Sequence, residues 1–266
     1  MIEPESRLAG GLTMTSFQKL ARGGRWRTEA MRAYDQSVLI WVTRGQGRIT
    51  IAGRTRGYGA HSLILLPRGT MHGFEVGAGG LGTVILLPRP GPADRWDAPQ
   101  FHKIVDIQAQ KELTNLLDQL DGELRAQAVA YDRAAAALVE MILIWITRKT
   151  TPQPETRMRA GLRLADSFSR LLEGNFASGK TIASYAETLG VTPTHLSRAC
   201  RDACGRPASA LLQDRIFFEA RRMLAETRLP VKEIAFRLGF RSAAYFTRAF
   251  SQRTGHTPSR FRKSGT

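Results

Sequence analysis

The spacing of apolar residues divides the chain of 266 residues into a strand-like part and two helical parts. Between residues 26 and 88, short apolar runs rich in β-branched residues alternate with Gly-rich turns. Runs of this length indicate strands, and roughly six or more strands in antiparallel connection fit the turns. The pattern therefore predicts a β-sandwich or jelly-roll barrel. The clearest runs are Val38–Val42, Gly47–Ile51, Ser62–Leu66 and Thr83–Leu87.

The apolar period becomes helical after the stretch Pro88–Pro92, which we expect to close the barrel. It predicts a helix over Ala109–Leu124, which Gly122 could end early, and a second helix over Tyr131–Ile146. These helices can pack back on the barrel, or the first can present its leucine stripe to a second subunit. The candidate dimer residues of that stripe are Leu113, Leu116, Leu117 and Leu120.

The last part of the chain repeats one layout. Each copy has an amphipathic run, a turn at Gly190 or Gly239, a capping residue at Thr192 or Ser242, and a second amphipathic run. A long apolar-periodic segment that begins near Pro207 joins the two copies. This layout predicts an all-α domain with two helix-turn-helix units on one connecting helix.

Composition and charge set the domain limits. We predict an N-terminal tail over 1–24, a barrel domain with its two helices over 25–147, a polar linker with two prolines over 148–156, and the helical domain over 157–266. The net charge is +16, and residues 157–266 hold 20 Lys and Arg against 8 Asp and Glu, a surplus of 12. A basic domain attracts phosphates. An RNA-binding interpretation lacks the aromatic-rich sheet or Gly-rich clamp that it would need.

The helical part resembles the DNA-binding domain of AraC/XylS-type transcription regulators. The resemblance rests on Leu189–Arg198 (LGVTPTHLSR), Ala220–Leu224 (ARRML), Leu238–Phe240 (LGF), Tyr245–Phe250 (YFTRAF) and Gly255–Arg262 (GHTPSRFR). It departs from that pattern at Cys200, where the family usually has Phe, and at Pro207-Ala208, which replaces Ser-Pro.

The resemblance implies that the second helix of each unit reads DNA in the major groove. Arg198 and Arg248 are the candidates for guanine, because a planar guanidinium matches its two acceptors. A phosphate contact or an internal salt bridge is the alternative for Arg198, and capping or solvation is the alternative for Thr194 and Ser197. The complete set of DNA-contact candidates is Thr194, Ser197, Arg198, Arg241, Ala243, Ala244, Thr247 and Arg248.

The run Pro67–His72 (PRGTMH) resembles the second motif of cupin barrels, so the predicted barrel is cupin-like. The His-rich first motif of cupins is absent between Val38 and Gly59, and one histidine does not make a transition-metal site. We therefore predict no metal, no cofactor and no catalytic residue, and a barrel that encloses a small effector. Its candidate pocket residues are Trp41, Arg48, His72 and Phe74; in the alternative, Trp41 and Phe74 only fill the barrel and Arg48 is solvated.

These features predict an α+β protein that acts as a ligand-responsive, sequence-specific transcription regulator, an activator or a repressor. The expected partners are promoter DNA, a small-molecule effector, a second copy in a homodimer and RNA polymerase. An absent secretory signal and the absence of a long apolar run predict a cytoplasmic location without membrane contact. Alternatives are an effector-independent regulator, a cupin enzyme with a DNA-binding tail, and a DNA-repair protein with a methyl-accepting cysteine. The last needs clustered cysteines before Cys200, and the sequence has none there.

Overall fold

The computed structural model describes residues 11–22, 24–150 and 160–264. Within these ranges the N-terminal half contains two antiparallel sheets, one with the strand order β1-β7-β2-β5-β8 and one with the order β4-β3-β6. This arrangement confirms the predicted antiparallel β-fold. The strands are β1 (Thr13–Ser16), β2 (Val38–Arg44), β3 (Gly47–Ile51), β4 (Arg54–Tyr58), β5 (Ser62–Leu66), β6 (His72–Val76), β7 (Leu81–Leu86) and β8 (Gln100–Lys103).

The two sheets enclose an apolar interior. In the register of β3 and β6, Ile49 lies opposite Phe74 and Ile51 opposite His72, so these side chains share the inner face. Ile40 and Ile64 come from the other sheet into the same buried cluster. Burial of these residues on one face of each sheet is the main apolar contribution to the barrel.

Three predicted boundaries differ from those seen in the structure. The assignment of residues 1–24 to a tail is wrong for the part that the structure describes, because β1 pairs with β7 and α1 (Phe17–Ala21) buries Phe17 in the barrel interior. Strand β8 lies beyond the proline-rich stretch that we expected to close the barrel, and it pairs with β5. The linker begins later than the predicted residue 148, because a helix continues to Lys149. Residues 151–159 of the predicted linker region lie outside the described ranges.

Two helices, α3 (Ile107–Ala126) and α4 (Tyr131–Lys149), cover the outer face of the five-stranded sheet. Gly122 does not end α3, whose apolar stripe continues to a buried Leu124. The leucines that we expected at a dimer interface pack on the barrel and on α4 within the single chain. Leu113, Leu117 and Leu120 are buried, and Leu116 is half-buried against the same cluster.

The C-terminal half is helical throughout its described length. Its helices are α5 (Ala160–Asn175), α6 (Ile182–Thr188), α7 (Pro193–Cys204), α8 (Ala208–Glu226), α9 (Val231–Arg237), α10 (Ala243–Thr254) and α11 (Pro258–Ser264). Helix α8 contributes Leu211 and Leu212 to the core of the first unit, and Phe217 and Ala220 to the core of the second. One amphipathic helix therefore joins two helix-turn-helix units, as the sequence predicts.

The two halves pack against each other through α2 (Trp26–Glu29) and the residues that follow it. Trp26 is partly buried against the core of the second helix-turn-helix unit, with its ring centre 5.7 Å from that of Phe218. Met31 and Met71 enter the core of the first unit. Arg32 is completely buried between the halves, and burial lowers the pKa of its guanidinium, which lies over the rings of neighbouring aromatic residues.

The two turn glycines have the same conformation and different surroundings. Gly190 and Gly239 have φ values of 66° and 80°, in the left-handed region that glycine adopts at no steric cost. Nothing lies within 4 Å of a Cβ atom built on Gly190. A Cβ atom on Gly239 would lie 2.4 Å from the backbone nitrogen of Gly179, in the loop between α5 and α6. The second turn therefore approaches the first unit backbone to backbone.

We expect Gly239→Ala to destabilise the second unit more than Gly190→Ala destabilises the first. Both changes place alanine at positive φ, at a cost of about 1–2 kcal/mol. Only Gly239→Ala also forces two backbone segments apart, which adds about 1–3 kcal/mol. Hydrogen exchange of the amides of α6, α7, α9 and α10 measures the loss of protection in each unit. Equal losses in the two variants would show that the close approach to Gly179 contributes no stability.

Candidate functional site

The second helices of the two units, α7 and α10, present polar faces to solvent. Thr192 Oγ1 accepts a hydrogen bond from the His195 backbone N–H at 3.2 Å, and Ser242 Oγ accepts one from the Tyr245 N–H at 3.4 Å. These are the two predicted caps, and each fixes the first turn of its helix. Each helix ends at a glycine in the left-handed region, Gly205 or Gly255. The two helices therefore have the same length and the same ends.

The predicted DNA-contact residues are not equally accessible. Five are exposed on the outer side of their unit: Thr194, Arg198, Arg241, Ala244 and Arg248. Ser197 and Thr247 are half-buried at equivalent positions on the flank. Ala243 packs against the core of the second unit, so its methyl group faces away from the solvent-exposed side. The structure therefore brings together the exposed residues of α7 and those in and just before α10, and it separates Ala243 from them.

Sequence reasoning missed further exposed residues on the same faces. With the caps Thr192 and Ser242 aligned, His195 corresponds to Tyr245, and both side chains are exposed beside the arginines, Tyr245 with 59% of its surface. Arg201 is exposed one turn after Arg198. Helical spacing from Arg198 and Arg248 could have identified all three.

Both second helices pack on one connecting helix. Helix α8 has 19 residues, so its axis is about 28 Å long. Leu211 and Leu212 on α8 pack in the core that contains α7, and Phe217 and Ala220 pack in the core that contains α10. The position of α7 relative to α10 is therefore set through α8.

The barrel interior holds two of the four predicted pocket residues, and apolar side chains fill it. Phe74 lies in the interior cluster, and His72 is buried at its end. The Nδ1 of His72 lies 2.9 Å from the carbonyl oxygen of Thr70, which can only accept, so Nδ1 carries the proton. Burial and the nearby Arg32 lower the pKa of His72 to about 3, so its imidazole stays neutral.

The other two predicted pocket residues lie outside the interior. Trp41 faces the helices, and its indole Nε1–H donates to Thr114 Oγ1 on α3 at 3.3 Å. Arg48 points outward from β3 and pairs with Glu75 at 3.0 Å. Both placements correct the predicted pocket. The strand alternation was read correctly, but it does not reveal which face of a doubly covered sheet is the inner one.

A surface groove of about 750 Å³ lies between α2 and the ends of β3, β4 and β6. Two exposed ion pairs border it, Arg25 with Glu29 and Arg48 with Glu75. Tyr58 also lines it, and its hydroxyl donates to the carbonyl oxygen of Glu75 at 2.7 Å. Burial, and to a smaller extent the negative charge of Glu75, raise the pKa of the Tyr58 hydroxyl to about 12. The groove walls thus combine apolar and polar atoms, the charges of the two ion pairs balance, and Arg48 is the predicted pocket residue that lines the groove.

Among the residues that the structure describes, no three His, Cys, Asp or Glu side chains converge in a way that could hold a metal ion. Across the same ranges, every helix is too short or too polar to cross a membrane.

Comparisons with known proteins agree with the two halves seen in the structure. Residues 185–264 match the model of a helix-turn-helix domain family, and residues 20–146 match that of an AraC-like ligand-binding domain. The arabinose operon regulatory protein of Escherichia coli is 24% identical over 249 residues, which cover 89% of this chain and 82% of that protein. The probable transcription factor PqrA of Proteus vulgaris is 34% identical over 88 residues, which cover 33% of this chain and 72% of that protein.

Among solved structures, ToxT from Vibrio cholerae is 11% identical, with a TM-score of 0.41 over 96% of this chain and 97% of that one. The two family matches and these relatives assign the protein: it belongs to the AraC/XylS family and is a DNA-binding transcription regulator with an N-terminal AraC-like ligand-binding domain.

Proposed function

We propose that the protein reads a bipartite promoter site, with α7 and α10 in successive major-groove segments. The observation that carries this proposal is the equivalent exposure of Arg198 and Arg248, six residues after the caps Thr192 and Ser242. The arginines contact base edges, and the exposed residues that flank them contact phosphates. The basic surplus of residues 157–266 supplies a salt-dependent attraction to any duplex.

Arg248→Ala should weaken binding to the preferred site by about 1–3 kcal/mol and relax the preference at one base pair, because a bidentate contact with guanine is lost. Arg198→Ala should do the same in the other half-site. Binding to a random-site library at two salt concentrations measures both effects. The matched control is Arg237→Ala, whose guanidinium pairs with Glu233 on α9 at 2.8 Å. Equal weakening on every sequence would assign Arg248 to a phosphate instead.

We propose that a small effector binds in the surface groove. The interior that we expected to enclose it is filled, whereas the groove has about 750 Å³ of space. Its paired charges cancel, and its walls both donate and accept hydrogen bonds. This chemistry favours a neutral polar molecule, such as a polyol, over an anion or an apolar ligand.

The groove is also connected to the DNA-binding half. Arg25 and Glu29 line it, and Trp26, on the same short helix, packs between Phe218 on α8 and Phe261 on α11. A ligand that binds one position of α2 better than another therefore shifts the packing of the second helix-turn-helix unit.

A panel of neutral polyols, monosaccharides and amino acids, screened by thermal unfolding, tests the groove. A molecule that binds the groove should raise the unfolding temperature of the wild type and lose most of that effect with Arg48→Ala, because the variant removes a groove wall. Arg44→Ala is the control, since Arg44 is exposed on β2 and does not line the groove. Equal stabilisation of both variants would place the effector elsewhere.

We propose that the protein forms a homodimer through α4, and not through the leucine stripe of α3. Met141 and Ile144 on α4 are 54% and 40% exposed, and Ala137, Glu140 and Arg148 share their face. In an antiparallel pair of α4 helices centred on Ile144, Glu140 of each copy lies opposite Arg148 of the other. A groove of about 340 Å³ beside Ile144, lined also by Trp96, offers space for Met141 of the second copy.

Glu140→Arg should weaken the dimer by about tenfold or more, because it places like charges opposite each other at both symmetric positions. The double variant Glu140→Arg with Arg148→Glu should restore dimerisation, since both pairs are then reversed. Sedimentation equilibrium measures the dissociation constant. Val129→Arg, which introduces an arginine at a fully exposed position between α3 and α4, is the control. A wild type that stays monomeric at micromolar concentration, or a double variant that does not recover, contradicts this interface.

Three further elements of the proposal follow from the family. We infer that the protein acts by binding and not by catalysis, which the regulatory role of its relatives supports. Promoter binding in a bacterial cell implies a cytoplasmic location. Contact with RNA polymerase stays a prediction, and so does a role as an activator or a repressor of transcription.

A further inference from the structure

One buried carboxylate lies where the two helix-turn-helix units meet. Asp214 is on α8, between Leu212 of the first core and Phe217 of the second, and only 8% of its surface is exposed. Its Oδ2 lies 2.6 Å from Nη2 of Arg206, and its Oδ1 forms an ion pair with Nη2 of Arg253. Both carboxylate oxygens therefore hold an arginine.

The two arginines come from the C-terminal ends of α7 and α10, the two helices proposed to read DNA and called here the reading helices. Arg206 directly follows Gly205, the residue that ends α7, and Arg253 lies in the last turn of α10. The side chain of Asp214 thus ties the C-terminal end of each reading helix to the same point on the connecting helix.

Asp214 and Arg253 both act on the charge of a third arginine, Arg221. Arg221 lies seven residues further along α8, with its guanidinium 5.4 Å from the ring centre of Trp26. Burial lowers the pKa of Arg221 to about 10; Asp214 opposes that shift, and Arg253 adds to it. Without the carboxylate, the positive charges of Arg221 and Arg253 would face each other uncompensated at the junction, which disfavours the packing of α10 on α8.

The front of the second unit has a separate attachment. The turn at Gly239 touches the loop of the first unit at Gly179, backbone to backbone. The Gly239 turn and the ion pair of Arg253 with Asp214 therefore hold α10 from opposite ends. When the ion pair is lost, α10 can tilt about the Gly239 contact, and the direction in which Arg248 points changes with it.

We propose that Asp214 is a positioning residue that sets the separation and orientation of the two reading helices, and so the spacing between half-sites that the protein accepts. This inference rests on the proposed two-unit reading of DNA. Adding one base pair between half-sites moves the second by about 3.4 Å and rotates it by about 35°. A rigid pair of helices rejects such a shift, whereas a pair that can tilt tolerates it.

The test uses full-length protein and duplexes in which both selected half-sites are kept and the intervening sequence is shortened or lengthened by one or two base pairs. Wild type should prefer one spacing over its neighbours by about tenfold, the size of one charge-assisted contact. Asp214→Asn, which keeps the shape and removes the charge, should reduce that ratio to about two- to threefold. Base preferences within each half-site should stay unchanged, because Asp214 does not touch DNA.

Glu173→Gln is the matched control. Glu173 forms a similarly buried ion pair with Arg215, at 2.6 Å, which joins α5 to α8 within the first unit. It should therefore lower stability without broadening the accepted spacing. Equal broadening by Glu173→Gln would attribute the effect to a general loosening of the domain and overturn the proposal.

Two further variants test whether the ion pair between Asp214 and Arg253 accounts for the change in accepted spacing. Arg253→Gln should broaden the spacing as Asp214→Asn does, and the double variant should broaden it no further, because both remove the same contact. Arg253 is partly exposed, so this variant keeps the test decisive if Asp214→Asn fails to fold. A wild type without any sequence preference would refute the two-unit reading itself. A wild type with a fixed spacing that Asp214→Asn and Arg253→Gln both retain would refute only the role of Asp214.

Discussion

The DNA-binding half depends on the burial of one helix in two cores at once. Helix α8 places Leu211 and Leu212 in the first core, and Phe217 and Ala220 in the second. Neither unit has enough apolar surface of its own to form a separate domain, so each uses a part of the same helix. Because a hydrogen-bonded helix is stiff over this length, the two reading helices keep a defined separation. Beyond this burial, the ion pairs of Asp214 join the C-terminal ends of α7 and α10 to α8.

The barrel is packed against this arrangement and is not merely tethered to it. Met31 and Met71 lie in the core of the first unit, and Trp26 packs against the core of the second. Strand β4 also lies against α7 and α5. Arg198 and Arg248 nevertheless remain exposed in the presence of the barrel. The observed arrangement is therefore compatible with access to DNA, and a change at α2 would reach both cores.

Sequence periodicity predicted helices and strands well where a residue pattern is compatible with only one type of secondary structure. Both helix-turn-helix units, their caps at Thr192 and Ser242 and the connecting helix follow from helical spacing and from residues with specific backbone roles. The barrel strands that carry long β-branched runs were equally clear. The described part of the N-terminal tail, with β1, and the short strand β8 were missed, because four-residue strands without alternation look like loops until a partner strand is present.

The functional residues divide in the same way. The exposed arginines of the reading helices could be predicted, because a helix that is apolar on one side must present the opposite side to solvent. The pocket residues Trp41 and Arg48 and the leucine stripe of α3 were misplaced. Strand alternation shows which residues share a face of a sheet, and a leucine stripe shows that one face of a helix is packed against another element. Neither pattern shows which element that is. Here Trp41 packs against two helices, and Leu113 and Leu117 pack against the barrel.

The sequence by itself determined the fold class, the two units, the capped ends of their helices and the basic character of the DNA-binding half, because these depend on neighbours within a few residues or on composition. Only the tertiary structure decided the rest. The ion pair of Asp214 with Arg253 joins residues 39 positions apart, and the surface groove needs α2 to lie on a sheet whose strands follow it in the chain. Such contacts depend on how helices and sheets pack in space, and no local pattern of residues encodes that distance.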